Sequence, residues 1–356
     1  MKILGRHSKS RLCVCLIFLI TCVIYIEFVS YYFNSLNWYS LSCKDKHKCT
    51  KILLVADPQI IGNYEEPIHF LTPITIFDSD RYLKKTYLHA YDFVKPDVVI
   101  FLGDLMDEAH KASNEEFHQY VRRLFNIFLG HENPSIIRHI WLPGDNDIGG
   151  EDTMITKEKI KRFNHAFSQP SLITMKNITF FKINRLTSDI PVYKNKREFY
   201  DTNEIFVGLS HMPMMFKPST FVEKVFDKMM PHVLFTAHEH KSMIISTNAL
   251  LKQDFHIVPL TPENNQIFEY SLAMTDMYEI MIPTCSYRMG TDKIGYGYAV
   301  IEDNDLHFTV LWSPSRFHQL VFYVILIILI FFSSSAYVCY TCICNILRKR
   351  RNPARF

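Results

Sequence analysis

The chain has 356 residues, enough for one large domain or two small ones with ample material for a core. Its 39 lysines and arginines against 36 acids leave a net charge of +3, which points away from nucleic acid as a partner. The basic residues gather at the termini, and that placement says more than the sum.

In chain order, Lys2, Arg6, Lys9 and Arg11 precede an apolar run over residues 12–33 in which only Glu27 is charged. A bilayer crossing needs about 20 mostly apolar residues, so this run qualifies. Its length and the lack of a small-x-small cleavage site favour a signal-anchor over a cleaved signal peptide. Residues 34–50 form a linker in which Cys43 and Cys49 are close enough to pair in an oxidising compartment, leaving Cys285 unpaired.

From 51 to 317, β-type apolar runs alternate with helical patterns, without repeats, which predicts α/β architecture. "KILLVADPQ" ends at Asp57, and a helical stretch over "SDRYLKKTYLHAYDFV" follows. "PDVVIFLGD" ends at Asp104, ahead of a predicted helix over 114–129. "IIRHIWLPGDND" ends at Asp145, "EIFVGLSH" at His211, and "PHVLFTAHEH" at His238 and His240. Asn184 and Arg288 stand at further strand ends, and Arg288 is a candidate clamp for a phosphate oxygen. Glu108 and His110 are candidates to face the same cleft, whereas His69, His89, His118 and His165 read as structural. The polar stretches 187–204 and 261–276 read as loops that shape access.

A second apolar run, 320–343, carries no charge, and the basic tail 344–356 follows it. Positive flanks on the outer side of both runs place both ends in the cytosol and the segment between them in a lumen or outside the cell. The sequon at Asn177 suits that side. Cys339 and Cys342 match a CxxC spacing, but within an apolar helix they read as membrane packing, as do Cys13, Cys15, Cys22 and Cys344.

Ligands of open α/β sheets bind at the carboxyl ends of strands. Any one Asp or His at a strand exit is ordinary turn chemistry; five such exits in one chain predict a metal centre. Several carboxylates with three histidines exceed the needs of one tetrahedral ion. A pair of divalent ions, about 3.5 to 4 Å apart and bridged by a carboxylate, would use them all and suits attack of hydroxide on phosphorus. The predicted reaction is metal-assisted phosphoester hydrolysis.

These residues in this order resemble the calcineurin-like metallophosphoesterases, whose pattern is D-x-H, G-D, G-N-H-D/E, a lone H and G-H-x-H. "LVADPQIIG", "FLGDLMDE" and "PGDNDIG" are similar to a membrane branch that removes ethanolamine phosphate from GPI-anchor mannose. The resemblance implies two mixed β-sheets flanked by helices, between two membrane helices, with two ions, manganese by expectation. It implies Asp57, Gln59 and His240 on one ion, Asp104 bridging, and Asp145, His211 and His238 on the other. GPI-anchored proteins would be the substrate, between endoplasmic reticulum exit sites and the Golgi, with possible coat-protein contacts through the tail.

Three departures matter. Gln59 replaces the histidine of D-x-H, though an amide oxygen can still coordinate a hard ion. Ala237 replaces a glycine, harmless if the backbone there needs no positive φ. In the family's G-N-H-D the asparagine is a ligand, and the histidine gives a proton to the leaving group. Here Asp145 takes the ligand's place and Asn146 the acid's, with the swapped register, Asn146 inward, left open. Asp147, the usual partner of that histidine, needs another role. The open alternatives are a non-catalytic adaptor that recognises the GPI glycan, and a hydrolase for another phosphoester.

Overall fold

The computed structural model describes residues 14–63, 70–130, 138–193, 200, 203–252 and 254–351. His69, most of the loop 194–202 and the charged residues before position 14 lie outside them. Two sheets form the domain. The first has strand order β10-β13-β12-β1-β2-β3, with β1 (Thr50–Val55), β2 (Val98–Phe101), β3 (Arg138–Trp141), β10 (Phe268–Ser271), β12 (Gly295–Glu302) and β13 (Asp305–Trp312). The second has order β4-β5-β6-β7-β11-β8-β9, with β4 (Leu172–Met175), β5 (Ile178–Ile183), β6 (Ile205–Ser210), β7 (Val233–Thr236), β8 (Ser242–Asn248), β9 (His256–Leu260) and β11 (Asp276–Met281). Strands β1, β2 and β3 run parallel, as do β5, β6, β7 and β11, and antiparallel strands complete each sheet. Both sheets are therefore mixed, as expected.

The period-2 pattern of each buried strand explains how the layers stack. Ile52 and Leu54 of β1 face one way, and with Ile100, Ile140, Phe180, Val207, Phe235 and Ile280 they make the core between the sheets. Leu53 and Val55 face the other way, beneath α2 (Thr72–Val94) and α3 (Asn114–Phe128), against Tyr87, Phe117 and Phe128. The second sheet covers its outer face with α6 (Thr220–Met229), whose Val222, Val225 and Met229 meet Phe181, Phe206 and Leu234. The start of α3 is a capping box: Ser113 accepts from the amide of Glu116, and the Glu116 carboxylate accepts from the amide of Ser113. Shorter helices are α4 (Asp145–Ile148) and α5 (Lys157–Ala166). The predicted loop over 261–276 is corrected in part: it contains β10, a short edge strand paired with β13.

Among the described residues, two helices are long and apolar enough to cross a membrane. Helix α1 spans Val14–Ser35 with mean hydropathy 2.3; the second candidate, Arg316–Leu347, has mean hydropathy 2.4. The latter belongs to α7 (Arg316–Arg351), which forms a compact unit of its own beginning at Ser315.

The predicted linker, 34–50, is built into the domain. Asn34 Nδ2 and Trp38 Nε1 both donate to the Trp312 carbonyl at the end of β13 (2.6 and 2.8 Å). Glu302 accepts from the amides of Lys44 and Asp45 (2.9 and 2.5 Å). Cys43 and Cys49 are disulfide-bonded, and Cys285 is a buried free thiol. A closed loop this short removes roughly 2 kcal/mol of chain entropy from the unfolded state. Replacing both cysteines with serine is expected to lower stability by at least about that amount, read as a lower denaturant midpoint of the full chain in micelles.

Candidate metal centre

The centre lies where the parallel strands of both sheets end. From the first sheet come Asp57 and Gln59 after β1, Asp104 after β2, and Asp145 after β3. From the second come His211 after β6, and His238 and His240 after β7. These seven predicted ligands converge. One group of ligand atoms comprises Asp104, Asp145, His211 and His238; the other comprises Asp57, Asp104 and His240; within each group the atoms lie within 4.8 Å of one another. Asp104 belongs to both groups.

Sharp turns aim these side chains. Asp57, Gln59, Asp104, His238 and His240 all have positive φ, between 40° and 72°. Gly103 (φ 99°) lets β2 turn, and a Cβ there would lie 2.7 Å from the His211 ring. Gly144 must also lack a side chain, because Asp104 occupies that space. Ala237 keeps negative φ, so no glycine is required at that departure from the family pattern.

His211 donates from Nδ1 to the Leu102 carbonyl (2.9 Å), which fixes its tautomer and turns Nε2 toward Asp145 Oδ1 at 3.0 Å. Nδ1 of His238 lies 3.2 Å from the same Asp145 oxygen, while its Nε2 faces Glu151 at 3.4 Å. Asp145 therefore faces both histidines. Asn146 also reaches the centre: its amide N–H and its side-chain Nδ2 both donate to Asp104, at 3.0 Å each. Gln59 Nε2 lies 3.0 Å from Asp104 Oδ2 and 3.3 Å from His240 Nε2. A half-turn of that amide brings its oxygen to the same place.

The donor set fits divalent cations. Asp57 Oδ2 is buried and has no hydrogen-bond partner among the described residues. Burial, with the Asp104 charge adding to it and His211 opposing it, pushes the Asp57 carboxyl up to about 7. Asp104 is raised too, by burial first and by Asp145 in addition, against His211. Burial also drives His240 down to about 4, helped by His238 and His211. Three carboxylates collected in a dry site are stable as anions only with positive charge between them. When bound, such ions supply Lewis-acid polarisation of phosphoryl oxygens and offset charge developing there. The chain's own part is to hold Asp104 from two sides, through Gln59 and Asn146, and to fix the histidine tautomers.

Asp147 and Arg288 stand outside the ligand groups. Asp147 accepts from the amides of Gly144 (2.9 Å), Leu105 (3.1 Å) and Met106 (3.2 Å), so it clamps the exits of β2 and β3 together. Arg288 pairs with Asp107 at 3.2 Å, three residues beyond Asp104. Glu108 is buried and accepts from the Tyr120 hydroxyl, and His110 bonds the Asn146 carbonyl through its amide and Nδ1. Asn184 closes a turn with Asp189 and is not part of the cluster. His89, His118 and His165 also lie elsewhere.

Glu279 is a residue that the sequence reading missed. Fully buried on β11, it accepts from the amides of Met214, Met215 and Phe216 (2.7, 2.6 and 3.0 Å) and from Thr236 Oγ1 (2.8 Å). It thereby fixes the turn that follows His211. The available signal was an acid inside an otherwise apolar strand, "MYEIMI".

Residues 50–242 match the calcineurin-like phosphoesterase family. Metallophosphoesterase 1 of Danio rerio is 29% identical over 182 residues, covering 50% of this chain and 45% of the relative. Cell division control protein 1 of Saccharomyces cerevisiae is 22% identical over 268 residues, covering 68% of this chain and 53% of the relative. The chain thus spans about half the length of the curated relatives it matches. A dimetal phosphatase structure from Danio rerio aligns at 9% identity and TM-score 0.43, over 74% of this chain and 97% of that one, too loose a likeness to add weight.

Two substitutions separate ligation from scaffolding. Asp104→Ala removes the carboxylate common to both groups, and elemental analysis of the purified chain is expected to fall from two bound ions to one or none. Asp147→Ala leaves three buried amides without their acceptor, and a loss of about 3 kcal/mol or more is expected in denaturant unfolding.

Proposed function

We propose, for a chain that belongs to the calcineurin-like phosphoesterase family, that it removes ethanolamine phosphate from the mannose of GPI anchors. The family and the Asp/His centre make the protein a metal-dependent phosphoesterase; the substrate, compartment and topology are our reading. The observation that carries it is the pair of ligand groups sharing Asp104 within a chain that also has two apolar helices. A soluble phosphoester has no need of two such helices, whereas a lipid-linked glycan presents its phosphodiester close to a bilayer. Manganese is the ion we assign, since three carboxylates and the Gln59 amide supply oxygen donors for a hard ion that also accepts the three imidazoles.

In this reading α1 and α7 cross the bilayer, the metal domain is lumenal, and the basic tail 344–356 faces cytosolic coat proteins in the early secretory pathway. The positive flanks of the two apolar segments support that orientation. Asp57, Gln59 and His240 hold one ion, Asp145, His211 and His238 the other, and Asp104 both. Asn146 gives its donors to Asp104 and supplies no acid. Loss of general acid catalysis costs about 10²- to 10⁴-fold for a poor leaving group, which leaves room for turnover carried by charge stabilisation. That same feature favours a second reading, a cargo adaptor that recognises the GPI glycan without cutting it.

The test is manganese-dependent release of ethanolamine phosphate from a GPI glycan by the full chain in detergent. We expect turnover, reduced at least about a hundredfold in Asp104→Ala. Absence of release with both ions bound would overturn the trimming reading, and glycan binding under those conditions would identify the adaptor.

A further inference from the structure

Helix α2 changes character along its length. From Tyr82 to Val94 it buries Tyr82, Leu83, Tyr87, Ala90 and Val94 against the domain. Its first turns are apolar as well, but there Ile74 is 61% and Phe77 67% exposed. Phe70, just before the helix, is also exposed. No charged residue occurs from Phe70 to Phe77, and the charges begin at Asp78, Asp80 and Arg81.

Just after this segment, from Arg81 onward, the neighbour of α2 is α1. Arg81 pairs with Glu27, the one charge in the apolar run of α1. Lys85 Nζ lies 4.2 Å from the Phe28 ring centroid and 4.8 Å from that of Tyr31. The Tyr31 ring in turn meets Tyr82 at 6.3 Å and stacks on His89 at 6.1 Å. The outer pairs, Glu27 with Arg81 and Tyr31 with His89, advance together, so the two helices run in the same general direction. Ile74 precedes Arg81 by seven residues and therefore lies about 10 Å further along. For aligned axes that is the level of Ile20, well inside the apolar part of α1.

We infer that the first two turns of α2 enter the hydrocarbon of the bilayer beside α1, with lipid acyl chains as the partner that covers Ile74 and Phe77. The inference rests on the reading that α1 crosses a membrane. A helix start is costly in lipid because its first amides lack partners. Here Pro73 has no amide hydrogen, and the amides of Ile74 and Thr75 both donate to the Leu71 carbonyl (2.9 and 3.0 Å). Thr75 Oγ1 returns to that same carbonyl at 3.3 Å. The start of α2 is thus largely satisfied internally. The same helix is tied to the loop beside the centre: the Tyr287 hydroxyl donates to Asp78 (2.9 Å), and the next residue, Arg288, pairs with Asp107.

The test places single tryptophans in the full chain reconstituted in phosphatidylcholine vesicles with brominated acyl chains. Emission is read relative to the unsubstituted chain, which carries Trp38, Trp141 and Trp312. Added emission from Ile74→Trp is expected to be quenched about twofold, as for Ile20→Trp in α1, and to resist aqueous iodide. If Ile20→Trp is quenched by the lipid while Ile74→Trp is quenched only by iodide, the insertion is overturned and the membrane reading stands. Shielding of Ile74→Trp from both quenchers would mean a protein cover, such as a second copy, and would equally overturn it. Failure of bromolipid to quench either tryptophan would overturn both the insertion and the membrane reading.

Discussion

Five of the seven ligands at the centre depend on backbone held in the left-handed region: Asp57, Gln59, Asp104, His238 and His240. For residues with a side chain each such turn costs on the order of 1 kcal/mol or more. A conformation this unfavourable persists only where its surroundings over-determine it, and here they do. The Gln59 amide donates to the Asp104 carbonyl, Leu102 to Val55, and Cys285 to Ala56, so the strand exits are stitched to one another. Thr284 Oγ1 adds a bond to the Asp57 carbonyl (2.9 Å). The parallel strands of both mixed sheets converge on the centre, and the strain is distributed over both.

Much of this was legible in the sequence. The apolar strands that end in Asp or His announced both the layers and the ligands, because a buried strand must exit the sheet where its side chains can meet. Adjacent positions were harder. Asn146 reads as a lost acid, and only the fold shows it donating twice to Asp104. Asp147 reads as part of a catalytic motif, yet it binds three backbone amides. Spacing along the chain gives proximity; it does not give the direction of a carboxylate.

Other features escaped because they are long-range. Glu279 serves a turn more than sixty positions earlier, and no local pattern joins the two. The linker 34–50 looks like a polar spacer, but its partners Glu302 and Trp312 lie at the far end of the domain. Strand β10 hides in a polar stretch, since an edge strand needs only one buried side chain, Phe268, to be held in place.

That fastened linker has a mechanical consequence. A free polar coil between Leu36 and Cys49 would let its ends wander by roughly 20 Å, and the domain would swing beneath its anchor like a ball on a string. With Asn34, Trp38, Lys44 and Asp45 pinned to the first sheet, the leash is replaced by a stiff bracket. If α1 crosses a bilayer as proposed, the domain meets that bilayer at one fixed height and heading. Its reach is set by geometry, and a target must come to that level to be met.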